Sequence, residues 1–245
     1  MPAESSTEKR TSGRSPSFDL SAVQRLFMVG LAYVPMGHML LALGTGIAIW
    51  RSYGAGYAIV SGAAALYLIP PLAVAVVRPR ALLANPQYQV GTSEFFRWWY
   101  TAQWQVMFNR FPQLEELLRL VPGMYSTWLR LWGARIGGLV YWSPGLIVFD
   151  RPFLNIGRRV VIGADTKLSP HFLMRGATGA TELVVAPITI GDDAMIGGST
   201  LLPAGVTVGD REQTPGGRPM APFSRFEGGQ HIRTSRFYKE PRNDA

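Results

Sequence analysis

Cysteine is absent from this chain of 245 residues. Disulfides, thiolate metal sites and a cysteine nucleophile are thereby excluded, and the absence fits a reducing compartment. Histidine is scarce, at three: His38, His171 and His231. Acidic residues are scarce too, 16 against 24 Lys and Arg, which leaves a net charge of +8. That balance suits an anionic partner: membrane phospholipid, nucleic acid or a phosphate-bearing cofactor. There is no P-loop and no glycine-rich dinucleotide fingerprint. Apolar residues are nearly missing from positions 1–17, which predicts a disordered basic tail over 1–21. No signal-peptide pattern is read there.

Charge is what the next two segments lack. Positions 26–50 and 55–77 carry no charged residue, and each exceeds the roughly 20 residues that cross a bilayer core as a helix. A transmembrane helical hairpin is predicted over 22–80, joined by a turn at 51–54. Pro35 and the pair Pro70-Pro71 are expected to kink it, and could make the second segment re-entrant. Gly30, Gly37, Gly44, Ala58 and Gly62 are small enough to let helices approach. Lys9, Arg10, Arg14 and Arg25 precede the hairpin and Arg78, Arg80 and Arg97 follow it, while Arg51 alone marks the turn. The positive-inside rule then puts both ends in the cytoplasm, the hairpin in the inner (cytoplasmic) membrane and membrane lipid among the partners. His38 lies inside the first span with no carboxylate in either span, so it is expected to be neutral and hydrogen-bonded within the bundle.

Aromatic residues crowd the segment after the hairpin: Phe95, Phe96, Trp98, Trp99, Tyr100, Trp104, Phe108 and Phe111, with Arg97 and Arg110 among them. Trp and Tyr favour the headgroup zone, so amphipathic, interfacial helices are predicted over 81–133. The first covers 92–110, and two more start at Pro112 and Pro122. No nucleic-acid motif accompanies the aromatic and basic mixture, and nucleic acid is not expected as a partner.

A different period begins near Ile136. Ile190, Ile196, Leu202 and Val208 stand six positions apart, and Gly191, Gly197 and Gly209 directly follow three of them. Ile156-Gly157, Ile162-Gly163 and Leu168-Ser169 repeat the pattern upstream, and Ile136-Gly137 with Val148 extends it less regularly. Neither strand nor helix periodicity produces a six-residue spacing; short repeats of this kind mark a solenoid of strand and turn units. Between three and four triangular coils are expected before Asp210. With one histidine in the coils and no cysteine, no metal site is expected.

The run IGGSTLLPAGVTVGD resembles the hexapeptide-repeat acyltransferases, and with the membrane hairpin the chain is similar to membrane-anchored polysaccharide-type O-acetyltransferases. The resemblance implies a membrane-anchored α + β protein with a short left-handed parallel β-helix over 134–210 and a tail over 211–245. It implies acetyl-CoA (acyl-CoA) as co-substrate, a homotrimer, and transfer to a hydroxyl of a glycan or lipid-linked saccharide. It also implies a histidine base near the interruption of the coils. His171, in LSPHFL before the interruption at 174–187, matches that role, with His231 as its rival. Histidine suits the task because its pKa lies near neutrality. Asp150, Asp165 and Glu182 are alternatives for the carboxylate that orients it. The positions matching the family's cofactor contacts are Gly198, Ser199, Ala204 and Gly205, with Arg175, Arg233, Arg236 and Lys239 for phosphates. Two other readings stay open: acyl transfer to an amine, and a non-catalytic trimeric membrane scaffold.

Overall fold

The computed structural model describes residues 20–176 and 179–233. Helices α1 (Ala22–Ala32), α2 (Val34–Tyr53) and α3 (Ala55–Val76) come first, then strand β1 (Gln87–Gln89) and helices α4 (Ser93–Arg110), α5 (Gln113–Arg119) and α6 (Met124–Leu131). Strands β2 (Arg135–Ile136), β3 (Tyr141–Trp142), β4 (Ile147–Val148), β5 (Leu154–Ile156), β6 (Val161–Ile162) and β7 (Lys167–Ser169) come next. A hairpin, β8 (His171–Arg175) and β9 (Thr181–Val185), separates these from β10 (Ile188–Ile190), β11 (Met195–Ile196), β12 (Leu201–Pro203) and β13 (Thr207–Val208). Last are β14 (Arg225–Glu227) and β15 (Gln230–Ile232). The expected tail over 1–19, with Lys9, Arg10 and Arg14, and the phosphate candidates Arg236 and Lys239 lie outside the described residues.

The first apolar segment is two helices rather than one. Ser21 caps α1 by accepting from Gln24 N at 3.2 Å, while the Gln24 side chain accepts from Ser21 N at 2.9 Å. The break falls at Tyr33, because Pro35 has no amide to continue α1 and fits the first turn of α2. The expected four-residue turn shrinks to Gly54, whose φ of 88° is open to glycine. Gly62 packs near Ala42 and Gly46, whereas Gly30, Gly37 and Gly44 face open space. Ala22–Tyr53 and Ala55–Val76 are both long and apolar enough to cross a membrane. Leu40, Leu43, Ile47, Ile59 and Val60 are each more than half exposed, so no protein core covers this face.

Helix α4 differs from the interfacial helix expected there. Phe95, Trp98, Thr101, Gln103, Gln105, Met107 and Phe108 are buried, so polar and apolar residues alike are covered and no water-facing stripe is left. It is wedged between the hairpin and the strands: Phe96 meets Phe27 edge-on at 5.6 Å, and Trp98 reaches Asp150. Of the two shorter helices, α5 follows directly on Pro112, whereas α6 starts at Met124 behind Gly123 rather than at Pro122, and Trp128 Nε1 donates to Tyr67 O at 2.8 Å to tie α6 to α3.

The hexads become a parallel solenoid with three sheets visited in turn. Ile136, Ile156, Ile190 and Val208 align on one sheet, Trp142, Ile162 and Ile196 on the second, and Val148, Leu168 and Leu202 on the third. Of these, Ile162, Leu168 and Leu202 have no exposed surface.

The coils also run past residue 210, where a tail was expected. Counting on in sixes from Val208 gives Thr214, Met220 and Phe226, all buried. Phe226 pairs in parallel register with Val208, and Gln213 bridges to Met195. Strand β15 then turns back antiparallel on β14.

Candidate active site

The repeat frame slips twice, and both slips fall after the third strand of a coil. Val148 to Ile156 is eight positions, and the stretch between Leu168 and Ile190 holds the β8–β9 hairpin. Because Val148 pairs with Leu168, the two irregular corners stack on each other. Asp150 comes two residues after Val148 and His171 three after Leu168, so the stacking brings them together. The described residues of 174–187, where the coils are interrupted, belong to a β-arm: β9 pairs antiparallel with both β8 and β1.

His171 Nδ1 is hydrogen-bonded to Asp150 Oδ2. Trp98 Nε1 donates to the other carboxylate oxygen at 3.1 Å, and its ring lies 4.8 Å from the imidazole. Asp150 is fully buried, while His171 keeps about a quarter of its side-chain surface exposed. A carboxylate accepts only, so Nδ1 carries the ring proton and neutral His171 presents the lone pair of Nε2. Burial by itself would lower the imidazole pKa; the charge and hydrogen bond of Asp150 outweigh it and raise the value above the ordinary 6.5. The pair therefore favours proton uptake at Nε2 near neutral pH.

Asp150 is in turn held in place by the residues just after it. Arg80 Nη1 donates to Pro152 O at 2.7 Å, clamping the short turn after Asp150. Arg151 is 1% exposed: its amide donates to Gln105 Oε1 at 2.7 Å, its Nη2 to Asn109 Oδ1 at 3.0 Å, and its guanidinium pairs with Glu115. Glu115 also accepts from Tyr125 OH at 2.7 Å and from Arg119 at 3.0 Å. A charge so deeply buried is tolerated only with full pairing, which makes the network a rigid seat for Asp150. Sequence reasoning missed Trp98, Gln105 and Arg151. The signal available was the slip itself, since Asp150-Arg151-Pro152 occupies the break in the hexads.

The other candidates separate. Asp165 sits in an exposed turn with φ of 57°. Glu182 pairs across the arm with Met174 and accepts from Gln87 Nε2. Three residues along a strand from the His171 pairing, about 10 Å, it stiffens the arm and does not reach the imidazole. His231 lies on β15, where its Nε2 is 2.8 Å from Ser224 Oγ. Burial and the charge of Arg233 lower its pKa. His38 Nε2 lies 3.2 Å from Ala65 O inside the hairpin, as expected of a bundle histidine.

Among the cofactor candidates, Pro203 pairs with Ser169, so the Ala204-Gly205 corner stacks beside the His171 corner. Ala204 is fully buried, and Gly205 has φ of 75° against the Phe223 ring. Gly198 and exposed Ser199 occupy a different corner, where Ser199 N donates to Ala164 O at 2.7 Å. Arg175 ends β8. Among the described residues no group of three or more His, Asp or Glu could hold a metal ion.

No family model and no curated protein matches the chain. Similar solved structures are hexapeptide-repeat acetyltransferases. One from Vibrio cholerae is 16% identical over 53% of this chain and 91% of its own, with a TM-score of 0.37. A structure from Vibrio cholerae O1 biovar eltor, complexed with acetyl coenzyme A, is 18% identical over 51% of this chain and 84% of its own, also at 0.37. A maltose O-acetyltransferase from Clostridium difficile 630 is 15% identical over 60% of this chain and 90% of its own, at 0.35.

Proposed function

We propose that the chain is a membrane-anchored O-acyltransferase that moves an acetyl group from acetyl-CoA to a hydroxyl of a glycan or lipid-linked saccharide. The observation that carries this reading is the Asp150–His171 pair at the stacked corners, with Nε2 left as the proton acceptor. Neutral His171 removes the proton of the acceptor hydroxyl as its oxygen attacks the thioester carbonyl carbon. When the carbon–sulfur bond breaks, the imidazolium returns that proton to the leaving thiolate, giving an ester and free coenzyme A. Buried Asp150 keeps the reactive tautomer and stabilises the imidazolium, while Trp98 holds the carboxylate and shields one side of the ring.

In this reading the solenoid is a left-handed β-helix, and three chains assemble side by side with each site at a junction. The Gly205 corner, together with the separate corner of Gly198 and Ser199, is assigned to the donor's pantetheine arm, and Arg175 at the end of β8 to its phosphates. The exposed apolar faces of α2 and α3 support the membrane anchor, which selects an acceptor held in the same leaflet. The hairpin ends with their arginines then lie in the cytoplasm.

The test is coenzyme A release from acetyl-CoA by purified protein supplied with membrane lipid extract, together with the product's lability in mild base. An ester is cleaved; an amide would survive and shift the acceptor to an amine. Undiminished release by His171→Ala would overturn the mechanism, and calorimetry showing no coenzyme A binding would leave a scaffold.

A further inference from the structure

A separate cleft, of about 590 Å³, opens where the hairpin meets α4. Its apolar wall is Phe27 of α1 with Val76 and Val77 at the end of α3, and Tyr100 and Phe96 of α4 close the other side. Arg78 and Arg97 also line it. Neither guanidinium makes a hydrogen bond or ion pair among the described residues. Arg80, two residues after Arg78, is by contrast engaged with Pro152 O. Glu94, which lies within range of the Arg97 charge, is bonded to Ser93 Oγ at 2.9 Å and pairs with neither arginine. Two guanidinium side chains unpaired among the described residues therefore line a concave surface whose other walls, apart from Ser93, are apolar or aromatic.

That combination matches one kind of molecule. Guanidinium groups bind phosphate oxygens through paired N–H donors, and two such groups match the charge of about −1.5 to −2 on a phosphomonoester better than a zwitterionic diester. Val76 is 81% exposed and ends a helix apolar enough to cross a membrane, so the apolar wall continues onto the surface where acyl or prenyl chains would lie. We infer that this cleft binds a membrane lipid through a phosphomonoester or diphosphate headgroup, with Arg78 and Arg97 as its charged ligands and Phe27, Val76 and Val77 against its chain. Arg97 and Trp98 are consecutive on α4, one lining this cleft and the other covering His171. A lipid phosphate here lies about one helix width, roughly 10–12 Å, from the candidate active site.

The experiment measures binding of radiolabelled dioctanoyl phosphatidic acid to the purified full-length protein in neutral detergent. Dioctanoyl phosphatidylcholine and inorganic phosphate serve as competitors. Saturable binding is expected, with both competitors weaker by about tenfold or more. The double variant Arg78→Gln/Arg97→Gln should lose about tenfold in affinity at unchanged Tm, and Arg110→Gln should lose nothing. Equal competition by phosphatidylcholine would reduce the cleft to a general lipid contact, and equal competition by inorganic phosphate would make it a site for the free anion; either overturns the proposal. So does wild-type affinity in the double variant. If that variant does not fold, Arg97→Gln alone reads the same loss at about threefold or more. Binding is read without acyl transfer, so this outcome stands apart from that of the His171 experiment.

Discussion

Two kinds of corner are built from the same repeat. At the regular corners glycines stack so closely that a Cβ on Gly163 would lie 2.4 Å from Gly198 N, and one on Gly197 would lie 2.4 Å from Gly216 N. Nothing but backbone fits there. At the corner after the third strand the frame slips, and Asp150 and His171 fill the extra room. Regular corners therefore carry the stack and the irregular one holds the proposed catalytic pair, in keeping with local rules being broken at functional sites.

That contrast can be broken from either side. The largest effect is expected from His171→Ala: coenzyme A release should fall by about 10²- to 10⁴-fold in protein that still folds, with a lowered melting temperature because buried Asp150 loses its imidazole partner. Leu168→Ala, three residues earlier and in the core, should act on stability instead. It should cost about 2–5 kcal/mol in denaturant unfolding because a fully buried side chain leaves a cavity. Gly163→Ala should destabilise by about 1–3 kcal/mol in denaturant unfolding through overpacking against Gly198.

Asp150→Asn sharpens the comparison through pH. With Asp150 present, the His171 pKa is raised, so the rising limb of the pH–rate profile should lie above 6.5. Without that charge only burial remains, which lowers the pKa, so the limb should move to lower pH while the maximal rate falls. The stability linkage carries its own sign. A raised histidine pKa contributes stability that is full below 6.5 and lost as pH rises through the folded-state value, so the wild-type advantage over Asp150→Asn should shrink across that window. The smallest effect is expected at Arg159, whose ion pair with Asp193 is half exposed on the outer face; Arg159→Ala should leave release and melting unchanged within error.

The hexads were legible because their aliphatic residues recur in sequence, and the apolar spans because charge is missing from them. The fourth coil was not, since Thr214 interrupts the aliphatic series amid glycine and proline, although its buried hydroxyl oxygen accepts from Gly197 N at 3.1 Å and so keeps the place of a core residue. His171 could be picked out by its place before the interruption. Its partner could not, because Asp150, Asp165 and Glu182 differ only in how strands stack, and stacking is not written in spacing. Trp98 was read with the membrane aromatics because composition cannot tell a ring packed on an imidazole from one facing lipid. Arg151 was invisible for a similar reason: a buried guanidinium announces itself only through the six side chains gathered around it, Gln105, Asn109, Glu115, Phe108, Trp128 and Trp132.

The antiparallel turn of β15 on β14 has a further consequence. A parallel stack of short strands ends in open backbone, an edge on which another stack could grow. At the near end Arg130 occupies the carbonyls of Ile136 and Gly137. At the far end the reversed strand presents the wrong polarity for another coil to add. Both ends of that sheet are therefore covered, and no further coil can extend it in parallel.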